Sequence, residues 1–187
     1  MTLLALLRHA DTAWSREGRI QGRADPPLLE SPPISLPQAC RGMRVVTSPL
    51  RRCVETAALV GAPDAAVEPR LVEMDWGDWQ GQSLAGLRAR HGESMRENEA
   101  RGLDFRPANG ESPREVTLRV ESWLREVAHE GVPTLAITHR GVIRAIFAQA
   151  SGWDLRGAPP AKLAWDAVHL FRVDPAGAPR IEQLNVR

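Results

Sequence analysis

Three short, mostly apolar runs, each ending abruptly at polar residues, constrain the fold of this chain more than any other feature. The runs and the residues that stop them are 3–7 (LLALL) before Arg8-His9, 44–47 (RVVT) before Ser48, and 133–138 (PTLAIT) before His139-Arg140. Apolar runs of this length, without polar alternation, are typical of strands buried on both faces of a sheet. We therefore expect at least three interior strands, with helices covering both sides of the sheet.

Helical periodicity between these runs predicts the covering layers. Residues 50–58 and 116–127 carry apolar side chains three and four positions apart, as amphipathic helices do. Ser48-Pro49 predicts the start of the first helix, with serine as its cap and proline at its first position. The sequence SPRE at 112–115 has the spacing of a capping box before the second helix, and Gly131 is placed to end that helix.

The remaining segments complete an α/β pattern. Residues 83–101 predict one or two polar surface helices, and residues 142–150 predict another helix. The polar segment 10–37 is expected to be a long loop, and such loops in compact domains are usually functional. Residues 163–173 and 180–186 alternate in polarity as edge strands do. Strands that alternate with helices predict a three-layer α/β/α fold with a mostly parallel central sheet and an antiparallel edge strand.

Size and composition limit the class of protein and its partners. The chain has 187 residues, enough for a single compact domain over 1–187. Its 24 basic and 23 acidic residues give a net charge of +1, so its charge does not favour nucleic acid or an anionic membrane as a partner. No apolar stretch approaches the roughly 20 residues of a membrane-spanning helix, and the first residues lack the basic flank and cleavage site of a signal peptide. We therefore expect a cytoplasmic protein that binds neither nucleic acid nor membranes.

The polar residues at the strand ends favour phosphoryl transfer. In an open α/β sheet the ligand binds beyond the carboxyl ends of the strands. One histidine there is most simply a structural hydrogen-bonding residue, but His9 and His139 hold equivalent positions and each has an arginine beside it. A neutral imidazole can attack phosphorus and form a phosphohistidine, and guanidinium groups match the equatorial phosphate oxygens. The expected partner is therefore a small phosphorylated substrate.

Positive charge for such a reaction is available without a cofactor. The helix predicted from Ser48 would add its N–H groups at the same end of the sheet. Cys40 and Cys53 follow no metal-ligand spacing, and the sequence has neither a metal-ligand cluster nor a G-x-x-x-x-G-K-[ST] phosphate loop. We expect no metal ion and no other cofactor.

Five motifs, taken in order, resemble those of the histidine phosphatase superfamily, the phosphoglycerate mutase-like proteins. They are LLRHADTAW, GRIQGRADPPL, TSPLRRCVETA, LVEMDWGDWQG and THRGVIR, and they span residues 6–144. The resemblance implies the phosphoglycerate mutase-like form of the α/β/α fold. It also implies a metal-independent enzyme that works through a phosphohistidine.

The same resemblance implies catalytic roles for five residues. His9 would be the nucleophile, with Arg8 and Arg52 as ligands of the phosphate group. His139 would be the second histidine, which hydrogen-bonds the phosphate and favours the transition state electrostatically. Glu73 would protonate the leaving oxygen, and its alternative role is an ion pair with a neighbouring arginine.

Four more residues would contact the substrate. Gln21 and Gly22 would line the substrate entrance, and Ser15 stands where the family usually has asparagine, which keeps a polar contact. Arg140 replaces a glycine of the family pattern, and it would either bind a second anionic group of the substrate or point to solvent. Ala10 also replaces a family glycine, which exchanges one small residue for another.

Three functions are consistent with these residues. The first is a phosphoric monoester hydrolase of the histidine acid phosphatase type, which hydrolyses small phosphomonoesters; the short chain with a single lysine, Lys162, favours this small phosphatase branch. The second is a phosphoglycerate mutase with the same catalytic residues. The third is a non-catalytic domain that binds phosphorylated ligands, although such a domain has no use for a proton donor opposite a nucleophile.

Overall fold

The computed structural model describes residues 1–187, which form six strands and five α-helices. The strands are β1 (Thr2–Arg8), β2 (Arg44–Thr47), β3 (Ala66–Val67), β4 (Thr134–Thr138), β5 (Val168–Val173) and β6 (Pro179–Val186). The helices are α1 (Ala13–Arg16), α2 (Arg51–Leu59), α3 (Leu84–Glu99), α4 (Pro113–Glu130) and α5 (Arg140–Ser151). None of these helices combines the length and the apolar character that crossing a membrane requires.

The strands form one mixed sheet in the order β3-β2-β4-β1-β5-β6. Neighbours from β3 to β1 are parallel, whereas β5 is antiparallel to both β1 and β6. The predicted α/β fold with a mostly parallel sheet and an antiparallel edge strand is confirmed, because β6 is the edge strand and pairs antiparallel with β5; β5 itself, also expected at an edge, is an interior strand. The cause is the turn at 174–178, where Asp174 accepts hydrogen bonds from the N–H groups of Ala176 and Ala178, both at 2.9 Å. A turn this short can only join antiparallel neighbours, so it places β6 outside β5.

Alternating side chains along β1 divide the core into the two predicted helical layers. Leu4 and Leu6 belong to a cluster with α4 and α5 on one face of the sheet. Ala5 and Leu7 belong to a second cluster with Cys53 of α2 on the other face. Because helices cover both faces of the central strands, polar residues that follow these strands are held at one rim of the sheet.

The capping box predicted for α4 is confirmed. The side chains of Ser112 and Glu115 each accept a hydrogen bond from the other's backbone N–H, and Gly131 ends the helix with a φ of 68°. A left-handed conformation of this kind is the usual reason for glycine after the last helical turn.

The cap predicted for α2 is wrong. This helix begins at Arg51, and Ser48 does not cap it, because Leu50 is extended with φ −70° and ψ 135°. The Arg51 N–H donates to Asp25 at 2.8 Å, so this group of the helix terminus is already bonded within the protein. The Ser48 hydroxyl lies instead against the ring of His139.

Candidate active site

Two histidines lie side by side at the carboxyl ends of the two central strands. β1 and β4 are parallel neighbours with Arg8 opposite Thr138, and one histidine follows each strand. The backbone N–H of His9 donates to the carbonyl of Thr138 at 3.0 Å. The ring centroids of His9 and His139 are 5.3 Å apart. The structure therefore brings together the two histidines that follow equivalent strand ends in the sequence.

His9 is buried, and its hydrogen bonds decide its protonation. Its Nδ1 lies 2.7 Å from the carbonyl oxygen of Ala10, and a carbonyl can only accept, so Nδ1 carries the ring hydrogen. The N–H of Ala10 donates to Thr56 Oγ1 at 2.9 Å, which ties the backbone at residue 10 to α2. Burial, followed by the charges of Arg8 and Arg52, lowers the pKa of His9 to about 3. The ring is therefore neutral with an unprotonated Nε2, the form that can attack phosphorus.

His139 is completely buried immediately before the first residue of α5. Its Nε2 lies 2.7 Å from Ser48 Oγ and 3.4 Å from Cys53 Sγ. Burial, followed by the charges of Arg52 and His9, holds the pKa of His139 well below its ordinary value. Ser48 and Cys53 position this ring, a role that the sequence analysis did not find for either residue; their place in the TSPLRRCVETA motif was the available signal.

Glu73 is a buried carboxyl group held by backbone donors. Its Oε1 accepts hydrogen bonds from the N–H groups of Met74 at 2.8 Å and Gly141 at 3.1 Å. Burial raises the pKa of Glu73, so its protonated form persists to a higher pH than in an exposed glutamate. A Cβ on Gly141 would lie 2.3 Å from Oε1. Glycine is therefore required where the first turn of α5 receives the carboxyl group.

Two arginines bring positive charge to this cluster. Arg8 is largely buried, and its Nε has no hydrogen-bond partner. Arg52 is completely buried; its two Nη atoms donate to the carbonyls of Ala24 and Gly22, each at 2.8 Å, and its Nε also has no partner. Buried N–H groups are nearly always bonded, and Arg8 is the one of the two that lines the cavity described next, so its Nε–H is the one suited to an acceptor that binds there. Arg52 thus holds the 18–25 loop against α2 and places its charge beside the histidines.

A cavity of about 210 Å³ opens at this rim of the sheet. Seven of the nine predicted site residues line it, namely Arg8, His9, Ser15, Gln21, Gly22, Glu73 and Arg140. The other two, Arg52 and His139, lie behind this lining and are completely buried. No group of three or more His, Cys, Asp or Glu side chains is arranged to hold a metal ion.

The loop residues predicted to contact the substrate also hold the loop in shape. Ser15 completes a capping box with Thr12 around α1, a short helix where the sequence analysis expected only loop. The Thr12 hydroxyl donates to Gln21 Oε1 at 2.9 Å. Gly22 has a φ of 52°, and a Cβ there would lie 2.7 Å from Gln80 Oε1. These contacts shape the entrance, and direct contact with a substrate stays a prediction.

Two further residues, Arg144 and Trp76, complete the cavity. Arg144 lines it one helical turn after Arg140, and this four-residue spacing in a predicted helix was the available signal. Trp76 also lines the cavity and packs edge-on against Phe105, with ring centroids 5.7 Å apart. The guanidinium of Arg140 lies over the ring of Trp165, 4.4 Å from its centroid. Arg140 is therefore held at the cavity by an aromatic ring.

Comparison with known proteins gives a consistent family and fold. A family model described as histidine phosphatase superfamily (branch 1) matches residues 4–187. The chain is 31% identical over 170 residues to a metal-independent phosphoserine phosphatase of Arabidopsis thaliana, covering 79% of this chain and 68% of the relative. It is 31% identical over 163 residues to 2,3-bisphosphoglycerate-dependent phosphoglycerate mutase 2 of Gloeobacter violaceus, covering 78% and 74%. Among solved structures, Bacillus stearothermophilus YhfR matches with a TM-score of 0.80 and 27% identity, covering 97% of this chain and 95% of that chain.

Proposed function

Since this chain belongs to the histidine phosphatase superfamily (branch 1), we propose that it is a phosphatase that hydrolyses small phosphomonoesters through a phosphohistidine on His9. The observation that carries the proposal is the state of His9, a buried neutral imidazole whose Nδ1–H is held by Ala10 and whose Nε2 is unprotonated. The name of the Arabidopsis relative, a metal-independent phosphoserine phosphatase, supports hydrolysis.

In the first step, Nε2 of His9 forms a bond to phosphorus while the bond from phosphorus to the leaving oxygen breaks. Glu73, whose pKa is raised by burial, transfers its proton to that oxygen, which departs as an alcohol. Arg8 stabilises the charge on the equatorial phosphate oxygens from the cavity wall, and Arg52 and His139, buried directly behind that wall, act on the same charge electrostatically. The products of this step are the alcohol, phosphohistidine and the Glu73 carboxylate.

In the second step, water attacks phosphorus and the bond between phosphorus and Nε2 of His9 breaks. The Glu73 carboxylate accepts the proton that the water loses, as microscopic reversibility requires of the group that acted as the acid. Inorganic phosphate leaves, and both residues return to their starting protonation states.

A phosphoglycerate mutase is the second candidate, because the Gloeobacter relative bears that name and the same catalytic residues serve both reactions. A mutase returns the phosphoryl group to a bound substrate, so it has to keep water away from the phosphohistidine and hold two phosphate groups. The short chain carries one lysine, Lys162, which does not line the catalytic cavity. The single lysine does not decide between the two reactions, because Arg140 and Arg144 line the same cavity, and we favour hydrolysis on the name of the Arabidopsis relative.

The test is to supply 3-phosphoglycerate with a trace of 2,3-bisphosphoglycerate and to follow inorganic phosphate and 2-phosphoglycerate together, beside a panel of other phosphomonoesters. We expect phosphate release to exceed isomerisation and to be lost in His9→Ala. Isomerisation much faster than phosphate release would establish the mutase instead. If no ester is hydrolysed or isomerised, the remaining candidate is a non-catalytic domain that binds phosphorylated ligands.

A further inference from the structure

Two arginines on one face of α5 carry positive charge that the proposed phosphoryl chemistry does not use. Arg140 and Arg144 are four residues apart, so their side chains are neighbours on the helix surface. Both line the catalytic cavity, and Arg144 also lines an adjoining cavity of about 340 Å³. They therefore lie where the leaving group of a phosphate ester bound at His9 would extend.

Neither of these arginines has an acidic partner, although other arginines around the two cavities do. The partnered ones form the ion pairs Arg19–Glu17 at 3.3 Å and Arg88–Glu99 at 2.7 Å. The only carboxyl group that lines the catalytic cavity, Glu73, accepts its hydrogen bonds from backbone N–H groups. Like charges four residues apart on a helix repel each other. An anion bound between Arg140 and Arg144 would remove that repulsion.

Burial and the charge of Arg140 both lower the pKa values of the neighbouring guanidinium groups. Partial burial, followed by the charge of Arg140, lowers the pKa of Arg144. Burial, followed again by the charge of Arg140, lowers the pKa of Arg8. Positive charge is thus concentrated from the phosphoryl site outward along α5.

Both side chains are held over tryptophan rings. The Cζ atom of Arg140 lies 4.4 Å from the ring centroid of Trp165, and that of Arg144 lies 5.3 Å from the ring centroid of Trp153. Stacking uses the flat face of a guanidinium and leaves the N–H donors at its edge available. Trp153 is itself fixed, because its Nε1–H donates to the carbonyl of Arg156 at 2.9 Å. Both arginines are exposed to solvent, and the tryptophan rings orient their guanidinium groups at the cavity.

The catalytic cavity continues past Arg144 into the adjoining cavity of about 340 Å³. Both cavities share Trp76, Leu84, Gly141 and Arg144, so the space next to His9 continues into the larger one. The larger cavity is lined by a mixture of apolar and polar residues, with Phe105 among the apolar ones. The carboxylate that lines the larger cavity, Glu99, is already paired with Arg88. A leaving group can therefore extend past Arg144 without meeting an unpaired carboxylate.

We propose that Arg140 and Arg144 form a subsite for a second anionic group on the leaving-group side of the substrate. The preferred substrates are then phosphomonoesters whose leaving group carries a carboxylate or a second phosphate. The inference rests on the proposed phosphatase function, because the phosphoryl site is in the same cavity. A planar guanidinium binds either kind of anion through two parallel N–H bonds, so the chemistry of recognition is shared.

The test compares kcat/KM within two matched pairs of substrates. One pair is 3-phosphoglycerate and glycerol 3-phosphate, which differ by a carboxylate against a hydroxymethyl group. The other pair is the bisphosphate and the monophosphate of propane-1,3-diol. A hydrogen bond to a charged group corresponds to about 10-fold to 100-fold, and we expect the wild-type protein to prefer the anionic member of at least one pair by about that factor. The pair that shows the preference identifies the anion.

Variants assign the preference to the two arginines. Arg140→Gln/Arg144→Gln removes both charges and is expected to bring the ratio of kcat/KM within each pair close to one. Arg19→Gln is the matched control, because Arg19 lines the same cavity and lies over Trp14 at 4.7 Å but is already paired with Glu17. This control is expected to keep the wild-type ratio.

The outcomes separate the subsite from the phosphatase function. Hydrolysis with equal kcat/KM within both pairs, or a preference that survives in Arg140→Gln/Arg144→Gln, overturns the subsite and leaves the phosphatase function intact. If no ester is hydrolysed, the phosphatase function fails, and the same pairs are titrated calorimetrically into His9→Ala. Tighter binding of the anionic member that is lost on adding the two glutamine substitutions supports the subsite, and equal binding overturns it.

Discussion

The Nδ1 atom of His9 lies 2.7 Å from the carbonyl oxygen of Ala10, and this contact determines which nitrogen of the ring is unprotonated. Because the carbonyl can only accept, the hydrogen of the neutral ring is on Nδ1 and the lone pair is on Nε2. The side chain of residue 10 does not enter this contact. Alanine in place of the family's glycine therefore leaves the tautomer of His9 unchanged.

The protonation of His9 and Glu73 predicts how activity depends on pH. The pKa of His9 is lowered to about 3, so its nucleophilic form is present at every pH above that value. The pKa of Glu73 is raised by burial, so its acid form is lost only as pH rises through that elevated value. We expect kcat/KM, measured from about pH 4 to about pH 9, to fall on the alkaline side alone, and this fall to be absent in Glu73→Gln. The same substrate is used for both proteins, because its own phosphate also titrates near pH 6. An acid limb centred near 6.5, the ordinary pKa of histidine, that stays in place with substrates whose phosphate groups titrate at different pH values would contradict the state assigned to His9.

The loss of kcat/KM on replacing Glu73 should be larger for a substrate whose leaving oxygen needs a proton to depart. General acid catalysis typically contributes about 10²–10⁴-fold, so Glu73→Gln is expected to lose that much kcat/KM on an alkyl phosphate. The loss on p-nitrophenyl phosphate is expected to be small, because its leaving group is stable as an anion. Equal losses on the two substrates would instead assign Glu73 a binding or structural role.

Gly141→Ala is expected to displace the Glu73 carboxyl group without destabilising α5. Alanine favours a helix over glycine by about 1 kcal/mol, so α5 tolerates the change, but the new Cβ would lie 2.3 Å from Glu73 Oε1 and 3.2 Å from Met74 Cβ. The carboxyl group has to move, and activity on alkyl phosphates should fall more than activity on p-nitrophenyl phosphate. The double variant with Glu73→Gln should lose little beyond Glu73→Gln alone, because both changes remove the same interaction. Additive losses, or a large drop in Tm for Gly141→Ala, would show that the glycine serves the fold and not the acid.

Metal removal is expected to leave activity unchanged. Arg8 and Arg52 already place two guanidinium groups at the site, each with a buried Nε–H that has no protein partner. This positive charge suits the equatorial oxygens of a five-coordinate phosphorus, so orthovanadate should inhibit and excess EDTA should not. Loss of activity in EDTA with recovery on adding a divalent ion is the contrary result.

Much of the site could be predicted because its signals are local. The apolar runs that stop at His9 and His139 mark strand ends, and parallel strands end at the same rim of a sheet. The resemblance of the motifs then pointed to Arg52 and Glu73. The structure places all of these residues in or directly behind one cavity.

The rest depends on contacts between distant parts of the chain. Ser48 has the local sequence of a helix cap, but it lies against His139, 91 positions away, and the helix begins three residues later. The interior position of β5 follows from a hairpin that the polarity pattern of the last strands does not reveal. The tryptophans beneath Arg140 and Arg144 lie outside every motif, so only the folded chain pairs them with these arginines.

Trapping the phosphoryl group tests the central claim most directly. Brief incubation with a radiolabelled phosphomonoester, followed by an alkaline quench, should leave label on the protein that is lost on acid treatment, as phosphohistidine is. Peptide mapping should place the label on His9, and His9→Ala should show neither label nor turnover. Label on a different residue, or turnover of His9→Ala at the wild-type rate, would contradict the account.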